Sequence, residues 1–361
     1  MLKKTGLFGL YNSNRGSEEH WGKNCFNSSF PTSLASYMLE HKKKAIYLTL
    51  KPVDNELKVV SEEISIPDVF NSGQKKLEEL FFSFESKFEP YDKYATDMID
   101  GIDLVVKDLE GNFLSPLEIK LTVMPDSTTF KKPPSEWGAE MVIRSATTSY
   151  CALGMFDSVA TEKDNIREIF ENVCAGIQMW DNDFEVTHNI PKICQALNVF
   201  EKRYWKNQSP LLMQTLWKTE GQSPILCDDA FDIVIWSNFA FSRLFIDSAM
   251  TDKSKKMSRP MRSTARLARC LWELSKSNKI RLEDIYRQMA YGNQTDKEFS
   301  ISGTKWRSYV NTPRLQNLAV KKESLERIID NDSIEKLRPE RRFDQTLYFA
   351  RHTETDRKNK S

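Results

Sequence analysis

Long apolar runs are missing from this sequence. A membrane-spanning helix needs roughly 18 or more uninterrupted apolar residues, and the nearest approach, residues 231–246, is broken by Asp232, Asn238 and Arg243. The basic start at Lys3 and Lys4 is followed by no long apolar stretch, so a secretory signal is not expected and a cytoplasmic setting is. Cysteine is sparse. The six, Cys25, Cys151, Cys174, Cys194, Cys227 and Cys270, are scattered without the paired spacing of a zinc site or a disulfide framework. His20, His41, His188 and His352 show no ligand spacing, and neither a phosphate-cradling loop nor a dinucleotide glycine fingerprint occurs, which removes support for nucleotide-cofactor chemistry. No internal repeat or flexible linker divides the chain, and 361 residues suffice for one large core or two intimate domains.

Net charge is nearly absent too, at +1, but its distribution is uneven. Residues 251–318 carry fifteen Lys or Arg against six Asp or Glu, a local excess of nine that leaves the rest of the chain at −8. Segregated basic charge suits a polyanion, because each cation set on a phosphate releases condensed counterions.

What is present is a pair of apolar segments that carry two acids and a lysine. The first begins Gly101, Ile102, Asp103, Leu104; the second reads Pro116, Leu117, Glu118, Ile119, Lys120, Leu121. Strand side chains alternate faces, so Leu117, Ile119 and Leu121 enter a core while Glu118 and Lys120 emerge together on the other face. The turn-forming residues Asp108 to Asn112 predict a hairpin that returns Asp103 to the side of Glu118. Two carboxylates suit Mg²⁺, which completes its shell with water and phosphate and lowers the pKa of a bound water. A neighbouring lysine can orient that water or stabilise the developing charge. Acid-x-Lys recurs at Glu40/Lys42, Glu56/Lys58 and Glu85/Lys87, but only Glu118/Lys120 stands in an apolar strand, where unpartnered charge is costly.

Asp103 followed by Glu118-Ile119-Lys120 resembles the signature of the PD-(D/E)XK nuclease superfamily, with Ile102 where proline is usual. A narrower likeness spans more of the chain: Gly6-Leu7-Phe8-Gly9, Asn12-Ser13-Asn14-Arg15, and the segment from Trp21 to Pro31 are similar to the start of the HindVP-type family of type II restriction endonucleases. That resemblance implies a homodimeric, Mg²⁺-dependent endonuclease acting on double-stranded DNA at a short palindrome of the form GRCGYC in a bacterial cytoplasm, with a companion DNA methyltransferase. Asp103, Glu118 and the Ile119 carbonyl would then bind the metal, and Lys120 would position or activate the attacking water. A glutamate from a preceding helix often completes such a site. A sequence-indifferent repair nuclease and a DNA-binding protein without catalysis are the rival readings.

Elsewhere the patterns predict a helix over 31–41, strands over 45–50 and 57–66, and a helix over 74–88 whose polar side carries Glu78, Glu79 and Glu85. A helix capped by Ser135 would pair Glu140 with Arg144, or set Arg144 towards a scissile phosphate. Residues 166–198 and 227–250 read as mainly helical packing and subunit contact, with Asp228, Asp229 and Asp232 suiting the start of the second. Asn14, Arg15, Lys23 and Asn24 in the N-terminal arm are candidate DNA contacts. Arg259, Arg262, Arg266 and Arg269 recur at spacings of three, four and three, predicting a cationic stripe on a helix opened by Ser258; Lys305 and Arg307 predict a further contact loop. The expected fold is α/β: a restriction-endonuclease-like mixed central sheet flanked by helices. An arm and catalytic core would occupy 1–150, and a mainly helical packing, dimerisation and DNA-binding region 151–361.

Overall fold

The computed structural model describes residues 34–323 apart from 36, 77–78, 126–140, 220–225, 294–296 and 311. Among these residues, strands β1 (Ala45–Val53), β2 (Glu56–Ile64), β3 (Leu80–Ser86), β4 (Ile102–Asp108), β5 (Phe113–Pro125), β7 (Pro210–Thr219) and β8 (Leu226–Ser237) build one mixed sheet in the order β2-β1-β8-β7-β5-β4-β3, with β10 (Val320–Lys321) also paired to β8. The β1/β8 and β5/β7 pairs are parallel and the others antiparallel. A separate ribbon joins β6 (Met141–Arg144) to β9 (Lys297–Ile301). Helices α1 (Ser145–Asp157), α2 (Lys163–Cys174), α3 (Asp183–Tyr204), α4 (Asn238–Met250) and α5 (Arg259–Ser277) form the bulk of the second half, followed by the short α6 (Leu282–Gln288) and α7 (Gly303–Tyr309). No described helix is long and apolar enough to cross a membrane.

Both faces of the sheet are covered, as the alternation dictates. Val105, Leu212, Leu216, Val234 and Trp236 enter the large core shared with α1 to α5. Their strand neighbours Leu104, Val106, Met213, Trp217, Ile233 and Ile235 enter a smaller core closed by Leu34, Met38 and Phe70. Leu117, Ile119 and Leu121 belong to the smaller core, so Glu118 and Lys120 point into the helical side.

The strand expected over 45–50 is present, that expected over 57–66 is present up to Ile64, with a short helix opening at Ile66, and the described residues from 34 to 40 are helical. Three expectations are corrected. The segment 74–88 is, in its described part, not a helix but mainly strand β3: Phe81 and Phe82 favour an extended chain, and antiparallel pairing with β4 outweighs the helical period. The helix expected at 135–144 is, in its described part, strand β6. The stretch 227–250 is helical only from Asn238; its first half is β8, which from Ala230 onward is buried on both faces and, Asp232 apart, apolar up to Trp236, a run that periodicity cannot tell from a helix. Asp228, Asp229 and Asp232 all lie in β8 and are consequently not helix caps. Asp229 accepts from Lys218 Nζ at 2.6 Å, and Asp232, fully buried, takes both Nε and Nη2 of Arg314 at 2.7 and 2.8 Å.

Candidate active site

The β4–β5 hairpin forms because its turn satisfies itself. Asp108 Oδ1 accepts from the amides of Glu110 and Asn112 at 3.0 and 2.9 Å, and Gly111 supplies the left-handed backbone (φ +89°) that closes the reversal. Register then sets Leu104 opposite Leu117, which puts Asp103 against the Glu118–Ile119 step. The Ile119 amide donates to Asp103 Oδ2 at 2.8 Å. Lys120 Nζ bonds Glu118 Oε1 and lies 3.9 Å from Asp103 Oδ2.

These groups line a cleft of about 340 Å³. The side chains of Asp103 and Lys120 are 24% and 20% exposed, while Glu118 is nearly covered. Burial first, and the Glu118 charge second, raise the Asp103 carboxyl to about 7. Burial opposes the Lys120 ammonium, yet Glu118 and Asp103 outweigh it and hold its pKa above the usual lysine value. Lys120 is therefore a stable cation between two acids, suited to donating hydrogen bonds.

Two further acids reach the cleft, Glu85 and Asp100. Glu85 stands where the β3–β4 ladder skips the pair that would join it to Asp103. Its backbone is left-handed, φ +48°, an uncommon state for a glutamate and one that collects at functional positions. Gly101 permits this bend: a Cβ there would sit 3.1 Å from the Glu85 carbonyl oxygen. Of the three glutamates considered for completing the site, Glu85 lines the cleft, from a strand instead of a helix; Glu79 binds the Lys76 amide in a turn, and Glu78 lies outside the described residues.

The donor set fits Mg²⁺. No group of three or more His, Cys, Asp or Glu residues among those described encloses a metal unaided. Mg²⁺ commonly takes only one or two carboxylates and fills its octahedron with water and substrate phosphate. Two carboxylates forced together on an open cleft, one of them holding its proton to about pH 7, meet that requirement. Asp103, Glu118 and the Ile119 carbonyl are the groups that would hold it.

The arginine stripe is turned inward, which corrects the expectation of an outer cationic face. Ser258 caps α5 as expected, and Arg259 is exposed, but Arg262, Arg266 and Arg269 are 4%, 5% and 8% exposed. Helix α5 is packed between α1, α2, α3 and α4, and its arginines satisfy β9 and α6. Arg266 pairs with Glu298 and donates to the carbonyls of Tyr286 and Met289 at 3.0 and 2.7 Å; Arg262 donates to the carbonyls of Lys297 and Glu298; Arg269 meets Gln288. The contact loop at 302–307 is the capped start of α7, with Lys305 half-buried on Ser248 Oγ at 2.8 Å and Arg307 half-buried. Asn14, Arg15, Lys23 and Asn24 lie outside the described residues. Arg144 is brought to the cleft, at the junction of β6 and α1. Sequence reasoning did not single out Gln214 on β7, which is in register with Lys120 and fully buried, donating to Thr122 Oγ1 at 2.7 Å and accepting from Trp236 Nε1 at 2.9 Å.

Comparison with known proteins gives a consistent result. A family model described as HindVP restriction endonuclease matches residues 21–353. The type II restriction enzyme HgiDI of Herpetosiphon aurantiacus is 34% identical over 349 residues, 96% of either chain. The probable type II restriction enzyme HindVP of Haemophilus influenzae is 32% identical over 348 residues, 96% of this chain and 93% of that one. No solved structure matches. With a family match over nearly the whole length and two full-length relatives, the chain belongs to the HindVP restriction endonuclease family.

Proposed function

We propose that this protein is a type II restriction endonuclease that cuts both strands of DNA with Mg²⁺ at a short palindrome, GRCGYC being the sequence to test first. The observation that carries the reading is the convergence of Asp103, Glu118 and Lys120 on one open cleft in a chain of this family. Bound Mg²⁺ would supply Lewis-acid stabilisation of the phosphodiester and a water of lowered pKa. The Ile119 amide fixes the Asp103 carboxylate from behind, leaving its free oxygen for the cleft. Glu118 anchors the Lys120 ammonium, and that ammonium donates to the attacking water or to a phosphate oxygen, where charge develops in the transition state. In-line attack then leaves a 5′-phosphate and a 3′-hydroxyl. A palindromic target favours a two-fold homodimer, since one surface then reads both half-sites. Such an enzyme acts in the bacterial cytoplasm and requires a methyltransferase that protects the same sites.

Digestion of a plasmid with Mg²⁺, followed by sequencing of the fragment ends, tests the reading. Discrete fragments with a common end sequence are expected; smears or nicks would favour a repair nuclease instead. Asp103→Ala, Glu118→Ala and Lys120→Ala are each expected to abolish cutting while DNA binding, measured with Ca²⁺ in place of Mg²⁺, is largely kept. Cutting that survives all three substitutions would place the chemistry elsewhere.

A further inference from the structure

The cleft is lined by groups of opposite character: Glu85, Asp100, Asp103 and Glu118, from the run of chain that forms β3 to β5, together with Arg144 and the first turn of α1. Arg144 is exposed and makes no ion pair with any described residue. Its charge faces that of Lys120 and opposes it, so the two cations share the cleft. Helix α1 runs for thirteen residues from Ser145, and no side chain caps its start. The first amides of a helix have no partner within it and point outward with the positive end of the dipole. Thr147, in that turn, is fully buried at the cleft, and its hydroxyl has no partner among the described residues. A guanidinium fork, free amides and an unsatisfied hydroxyl are the groups that recognise a phosphate.

We propose that Arg144 and the first turn of α1 clamp one DNA phosphate across the cleft from Asp103 and Glu118, making Arg144 a positioning residue for cleavage. The inference rests on the nuclease reading. Strand β6 holds the clamp in place: Met141 and Ile143 pair with Ile301 and Phe299 of β9, so Arg144 leaves a fixed ribbon and not a free loop. Phosphate contacts of this kind set register and orientation without reading sequence.

The test uses the full-length protein and a duplex built around the fragment ends that the wild-type enzyme produces. Arg144→Gln is expected to slow single-turnover cutting by on the order of 10²-fold, the usual loss for one preorganised donor, with Arg144→Lys restoring part of the rate. Neutralising the phosphates around the cut one at a time with methylphosphonates is expected to reveal one position whose loss weakens wild-type binding in Ca²⁺ and leaves Arg144→Gln binding unchanged. That position identifies the phosphate held, whether scissile or adjacent. Identical methylphosphonate profiles in the two proteins, or wild-type cutting by Arg144→Gln, would overturn the clamp while leaving the nuclease reading intact. A wild-type enzyme that cuts no DNA would instead remove the reading beneath it.

Discussion

Burial and the neighbouring Glu118 hold the Asp103 carboxyl near 7, where an ordinary aspartate titrates near 4. Below about pH 4 the group is protonated in both the folded and the unfolded chain. Between there and 7 the unfolded chain ionises first, so stability falls as pH rises, and the loss is complete above 7. Asp103→Asn keeps the shape and removes the titration. At pH 8 without metal it is expected to raise stability by on the order of 1–2 kcal/mol, discounted for the part-exposed side chain, with no difference at pH 4 in thermal melts. Mg²⁺ should stabilise the wild type at pH 8 and leave Asp103→Asn unmoved; equal Mg²⁺ responses would show that Asp103 is not a ligand. The carboxylates and lysine were legible in the sequence because strand alternation and the Asp108–Asn112 turn are local. Glu85 was legible only as one of three candidate glutamates, since its place in the cleft depends on a left-handed kink against Gly101, sixteen residues away.

At the level of elements, α5 shows what spacing can and cannot reveal. The three-four-three recurrence did place the arginines on one stripe, but which way a stripe faces depends on partners distant in sequence, here Glu298 on β9. Arg262 and Arg266 converge on that single buried carboxylate. Removing one partner of a buried pair strands the other, at a cost of about 3–5 kcal/mol. Glu298→Ala is thus expected to lower the unfolding free energy by about 3 kcal/mol in urea titrations, with metal-dependent cutting per folded molecule preserved. A loss of DNA affinity without a loss of stability would restore the stripe to the DNA surface. Strand β8 was misjudged for a related reason: a segment apolar on both faces has no period to read, and only its pairing with β1 and β7 identifies it.

For the whole molecule, the described C-terminal residues act as a latch on the sheet. Arg314 reaches the buried Asp232 with two bonds and also the Lys44 carbonyl, joining β8 and the entry to β1, while Lys218 bonds Asp229 and the Gln316 carbonyl. Arg314→Ala leaves Asp232 buried and unpaired, and a global destabilisation of about 3 kcal/mol or more is expected from a buried acid so treated. Differential scanning calorimetry checks this; an unchanged melting temperature would mean that the latch carries no load.

The parallel union of β5 with β7 carries a temporal consequence. Eighty-four residues separate Glu118's strand from the partner that flanks it, since β5 ends at Pro125 and β7 opens at Pro210. During synthesis the β4–β5 hairpin that carries Asp103, Glu118 and Lys120 therefore leaves the ribosome as an unpaired edge, and the strand bearing Gln214 arrives only later. A nascent chain thus carries Glu118 and Lys120 on an open edge until β7 has been made.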